Sequence, residues 1–125
     1  MDALIPAPPR VLCPAAALAE GTARGFPAAA PGFAGLFLVR KEGRVFGYVN
    51  ACPHLGVSLE WTQDRFLSAD GTAIVCAMHA AVFRIADGAC LAGPCAGAAL
   101  TPVAVTEAAG MLCVPADAGR HPASG

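Results

Sequence analysis

The stretch that most constrains this chain runs from Cys52 to His79. It opens with Cys52-Pro53-His54-Leu55-Gly56 and closes with Cys76-Ala77-Met78-His79-Ala80. One Cys-His pair is spaced C-x-H and the other C-x-x-H, with 21 residues between His54 and Cys76. Neither spacing lets two side chains converge from one regular element. A strand sends residues i and i+2 to one face, but its rise holds them roughly 7 Å apart. Each pair therefore reads as a loop curled around a bound group. Two sulfur and two imidazole donors suit a transition metal, not calcium or magnesium, which take oxygen ligands.

Such a donor set can hold one zinc. It can also hold the two irons of a [2Fe–2S] centre, with two cysteines on one iron and two histidines on the other. Zinc fingers usually pair Cys with Cys and His with His. Here each loop carries one of each. If each loop reaches across two metal atoms, one iron collects both sulfurs and the other both imidazoles. C-P-H-L-G, then C-x-x-H, then Phe83, Gly88 and Gly93-Pro94, resembles the Rieske [2Fe–2S] domain over roughly residues 10–114. The resemblance implies Cys52, His54, Cys76 and His79 as ligands of a [2Fe–2S] cluster. It also implies an all-β fold, an antiparallel β-sandwich with a cluster-binding subdomain inserted near its middle, at about residues 50–97.

The chain departs from the family pattern in three places. The insert between the pairs is a few residues longer than in most members. Ala80 stands where the family usually has Gly, and Ala81 where it carries a hydroxyl. The matching positions for the disulfide of high-potential relatives are Val57 and Met78, which cannot form one.

A length of 125 residues makes one domain with a modest core. Gly and Pro together make 25 residues, so turns should be frequent. Eight basic and nine acidic residues leave the charge near zero, with no basic patch for nucleic acid. No 18-residue apolar run is present to span a membrane. Residues 11–19 superficially resemble the apolar part of a secretory signal, but Pro14 interrupts them and no basic segment precedes them. They read as a first strand, and the expected compartment is the cytoplasm, where structural disulfides are uncommon.

In order, residues 1–9 read as a loose arm, 10–115 as the domain and 116–125 as a tail that frays. Residues 10–13 and 22–26 are strand candidates, with a turn or single helical turn at 15–21. Residues 36–40 and 44–50 make the clearest hairpin, joined at Glu42-Gly43. A second hairpin turns at 68–71, through Asp70-Gly71. Residues 82–85 form a strand, 90–97 a Gly/Pro/Cys loop, and 101–106 a strand paired through Gly110 with 111–114.

Cys13 and Cys113 read as packing residues, since free cysteine is among the most buried residue types. Cys90 and Cys95 read as buried thiols, with a disulfide between them as the alternative. Trp61 and Phe83 read as core aromatics, and His121 as an idle residue of the tail. Pro94 follows Gly93; in Rieske domains a Gly-Pro loop covers the cluster. The resemblance also places His54 and His79 at the solvent side, among apolar neighbours such as Leu55.

The expected function is single-electron transfer, without a substrate-converting site. Rieske-type ferredoxins pass electrons from a flavin-dependent reductase to a terminal oxygenase, and the resemblance implies such partners. The small subunit of a nitrite-type reductase is a close variant. A zinc-binding structural or interaction module using the same four ligands is the rival from another class.

Overall fold

The computed structural model describes residues 8–28, 31–51, 66–76, 81–93 and 98–119. Ten short strands fill it: β1 (Arg10–Pro14), β2 (Ala23–Phe26), β3 (Leu36–Lys41), β4 (Arg44–Val49), β5 (Ala73–Val75), β6 (Val82–Arg84), β7 (Cys90–Ala92), β8 (Pro102–Val103), β9 (Thr106–Ala108) and β10 (Met111–Val114). Among the described residues, helix is confined to one 3-10 turn at Ala15–Ala17. The strands form three antiparallel sheets: β1-β10-β9, the base sheet β2-β3-β4-β8, and the small sheet β5-β6-β7.

The β3–β4 hairpin is the spine. Lys41 faces Arg44 across a two-residue turn, and both turn residues have positive φ, 54° at Glu42 and 77° at Gly43. Such turns match the right-handed twist of paired strands. The Glu20 carboxylate accepts the amides of Glu42 and Gly43 at 2.6 and 2.9 Å. Those amides, Gly43 first, hold its pKa below the usual carboxylate range.

Strand β3 is covered on both faces. Leu36, Phe37, Leu38 and Val39 are all fully buried. Alternation along a strand divides them between two sides. Phe37 and Val39 pack with Phe66, Ile74, Phe83 and Leu100 toward the small sheet. Leu38 packs with Cys13, Leu18 and Leu112, and Leu36 with Val114 and Ala118. Burying each such side chain contributes about 1.5–3 kcal/mol, so β3 adds cohesion on both of its faces. Cys13 and Cys113 are buried as expected, and so is Phe83.

Four expectations need correction. Residues 90–97 do not form one loop: Cys90–Ala92 is a strand, pairing Phe83 with Cys90 and Val82 with Ala92. Ladder bonds to β6 outweigh the turn-rich composition there. Residues 101–106 do not form one strand either. β8 joins β4, and β9 joins β10 in another sheet. The crossing between them passes Gly47, where an added Cβ would lie 2.7 Å from Val105 Cγ2. Residues 116–119 pack instead of fraying: Ala118 is buried, and the Gly119 carbonyl accepts the Ala34 amide at 2.7 Å. Cys90 is only half-buried, with its thiol 3.3 Å from the Ala92 carbonyl oxygen. The readings of Trp61, Pro94, Cys95 and His121 fall outside the described residues.

Candidate metal centre

The small sheet decides where the Cys-His stretches leave the core. Leu67 and Ile74 bridge antiparallel, and the Val75 amide donates to the Phe66 carbonyl at 2.8 Å. Val75 faces Val82, and Val82 faces Ala92. One level further on, the Cys76 amide donates to the Ala81 carbonyl at 2.9 Å. Four chain ends therefore meet at one end of this sheet: Phe66 after 52–65, Cys76 before and Ala81 after 77–80, and Gly93 before 94–97. The sequence motifs with Cys52, His54, His79 and Pro94 all belong to those three intervals, which lie outside the described residues.

Alternation fixes the aim of the side chains at this end. Ile74 and Cys76 are buried while Val75 between them is partly exposed. Ala81, Phe83 and Ile85 are buried while Arg84 is exposed. Cys76 thus shares the inner face with Phe66, Ala81 and Phe83. Of the four expected ligands it is the one the structure describes, and it is fully buried. Among the described residues no group of three or more His, Cys, Asp or Glu is placed to hold a metal ion.

The far end of the hairpin is pinned by its own polar contacts. Before β5, the Asp70 carboxylate accepts the Ser68 and Thr72 hydroxyls at 2.6 and 2.7 Å and the Thr72 amide at 3.1 Å. Those donors, Ser68 first, lower its pKa to about 2. After β6, Asp87 accepts the Ala89 amide and pairs with Arg84 at 2.9 Å. The Ala89 amide is the main reason the Asp87 carboxyl stays below its ordinary range.

Two contacts carried no signal in the sequence. Gly93, at φ 99°, lies against Ala81 so closely that a Cβ would be 2.8 Å from Ala81 Cα. The Tyr48 hydroxyl donates to the Ile85 carbonyl, linking β4 to the end of β6. Burial, and then the charge of Asp87, push the Tyr48 phenol up to about 12. Gly93 was legible as part of the Gly-Pro motif but not as a partner of Ala81, and Tyr48 only as a strand aromatic.

The described residues fit an iron–sulfur cluster. A buried thiol on an apolar inner face, at the shared root of both Cys-His stretches, is a suitable inward ligand, and two irons require donors from more than one loop. No helix of the described residues is long and apolar enough to cross a membrane.

Comparisons with known proteins agree with this geometry. No curated protein matches the chain. Among solved structures, a ferredoxin of Sphingomonas yanoikuyae B1 is 28% identical, covering 86% of this chain and 98% of that one, with a TM-score of 0.66. The ferredoxin of carbazole 1,9a-dioxygenase from Nocardioides aromaticivorans IC177 is 22% identical, covering 87% and 98%, with a TM-score of 0.68. A chain in a complex of reduced oxygenase and oxidized ferredoxin of carbazole 1,9a-dioxygenase is 25% identical, covering 90% and 94%, with a TM-score of 0.68. The model of one family, the Rieske [2Fe-2S] domain, matches residues 9–108. With that match over most of its length, this chain belongs to the Rieske [2Fe–2S] domain family and carries the family's cluster.

Proposed function

We propose that this protein is a ferredoxin-type electron carrier, with Cys52, His54, Cys76 and His79 as the ligands of its cluster. When bound, the cluster supplies a site that takes up and releases one electron. The observation that carries the reading is the position of Cys76. It is buried at the end of the small sheet where both motif-bearing stretches are rooted.

The roles of the chain's residues follow from chemistry. Cys76 and Cys52 act as thiolates, which bind metal only when deprotonated. His54 and His79 each offer one ring nitrogen to metal and keep the other for a proton or a hydrogen bond. Phe66, Ala81 and Phe83 wall the inner side and keep water from the sulfur ligands. No group in this arrangement is needed to convert an organic substrate.

The proposed partners are a flavin-dependent reductase as donor and a terminal oxygenase as acceptor. Support comes from the similarity to ferredoxins, one of them in complex with an oxygenase. A role as the small component of a nitrite-type reductase uses the same electron-carrying chemistry with another acceptor. The experiment is a stopped-flow assay. Protein reduced by a ferredoxin-class flavin reductase is mixed with a Rieske oxygenase, and reoxidation is followed in the visible band. Reoxidation in single-electron turnovers is the expected result. A protein that no flavin reductase reduces, or that binds one zinc, contradicts the proposal.

A further inference from the structure

We propose that Tyr48 is a positioning residue for the cluster: its hydroxyl bond to Ile85 locks the small sheet onto the base sheet and so fixes the two Cys-His stretches relative to each other. This rests on the ligand assignment above.

Tyr48 is tied to both stretches through described residues. It lies on β4, four residues ahead of Cys52. Its ring leans on Phe37 with centroids 5.8 Å apart. Phe37 in turn stacks on Phe66 at 4.3 Å, with only 7° between the ring planes. Phe66 is where the chain resumes after 52–65. At the other end of the phenol, the hydroxyl grips Ile85, which follows the strand leaving 77–80. The same ring covers Gly88, where a Cβ would lie 2.8 Å from Tyr48 Cε1.

The bond is well placed to act as a lock. Tyr48 is 2% exposed and Ile85 5%, so water does not compete for the carbonyl. Lys41 Nζ also reaches across, to the Gly71 carbonyl, but at 3.5 Å and partly exposed. The backbone bonds Gly88 O to Leu100 N and Cys90 N to Ala98 O tie the small sheet to the 98–100 segment, not to β3 or β4. Without the hydroxyl, the pose of one sheet on the other rests on side-chain packing, the long Lys41 contact and the indirect backbone path through 98–103, whose Thr101 carbonyl accepts the Val49 amide. Ligand frames work when their supports hold them to about half an ångström. A looser pose spreads the spacing between ligands, and a frame that shifts between oxidation states exchanges electrons slowly.

The test compares holo wild type with Tyr48→Phe and Leu18→Ala. Tyr48→Phe keeps the ring and deletes the hydroxyl. Leu18→Ala weakens the separate cluster around Cys13, Leu38 and Leu112. Iron and sulfide content, the linewidths of the reduced electron paramagnetic resonance spectrum, and the electron self-exchange rate are measured for all three. The expected result is broadened lines and several-fold slower self-exchange in Tyr48→Phe, with Leu18→Ala matching wild type despite its lost stability. Loss of the cluster from Tyr48→Phe alone supports the proposal too. Superimposable spectra and rates, or equal damage in both variants, overturn it. Wild type without the iron signal instead refutes the ligand assignment, which keeps the two failures distinct.

Discussion

Gly93 packs directly on Ala81, with room for no atom between them. A Cβ on Gly93 would lie 2.8 Å from Ala81 Cα and 3.3 Å from its Cβ. The backbone there has φ 99°, a region that L side chains rarely adopt. Gly93→Ala should cost about 1–3 kcal/mol in backbone strain, with steric displacement of Ala81 in addition. Because Ala81 closes the stretch holding His79, the variant should also release iron faster to a chelator. Gly71→Ala is the control: φ is 72° but nothing lies within 4 Å of the added Cβ. It should lose stability without faster iron release. Denaturant titration and chelator kinetics on both variants check the contrast.

The reduction potential should fall at the low end of the Rieske range, nearer about −150 than about +300 mV. Donors near cluster sulfurs stabilise the added electron, and the resemblance implies hydroxyls at the positions held here by Ala81 and Phe83. Ala81 and Phe83 are fully buried and carry no hydroxyl. Ala81→Ser should raise the potential relative to wild type. Protein-film voltammetry reads both values; a strongly positive wild-type potential contradicts the argument.

Stability should decline at both ends of the pH scale, for different reasons. Asp70, with a folded pKa of about 2, lies below its unfolded value, and Glu20 and Asp87 are also lowered. Their contribution is present above about pH 4 and is lost as pH falls toward the folded values. Tyr48 lies above its unfolded value, at about 12. Its contribution is present below about pH 10 and is lost between about 10 and 12. Urea midpoints across pH should show both flanks. Asp70→Asn should flatten the acid flank, and Tyr48→Phe the alkaline one.

The parts of the fold legible in the sequence are those with local causes. Glu42-Gly43 and Asp70-Gly71 mark their turns because positive φ and side-chain capping act within a few residues. The Cys-His motifs are local signals too, and of their four expected ligands the structure describes Cys76. What escaped depends on distant partners. Residues 90–92 look like loop until β6 supplies a ladder. Residues 101–106 look like one strand until β4 and β10 divide them. Ala118 looks like tail until Leu36 and Val114 receive it. The Tyr48–Ile85 bond spans 37 residues, beyond the reach of any local pattern.

The most direct test of the account is the metal content and spin signature of purified protein grown with 15N-histidine. The family's cluster predicts two irons and two acid-labile sulfides per chain. It further predicts a reduced-state paramagnetic signal coupled to two histidine nitrogens, abolished together with iron in Cys52→Ser or Cys76→Ser. A colourless protein with one zinc, a signal without histidine coupling, or full iron retention in Cys76→Ser would contradict it.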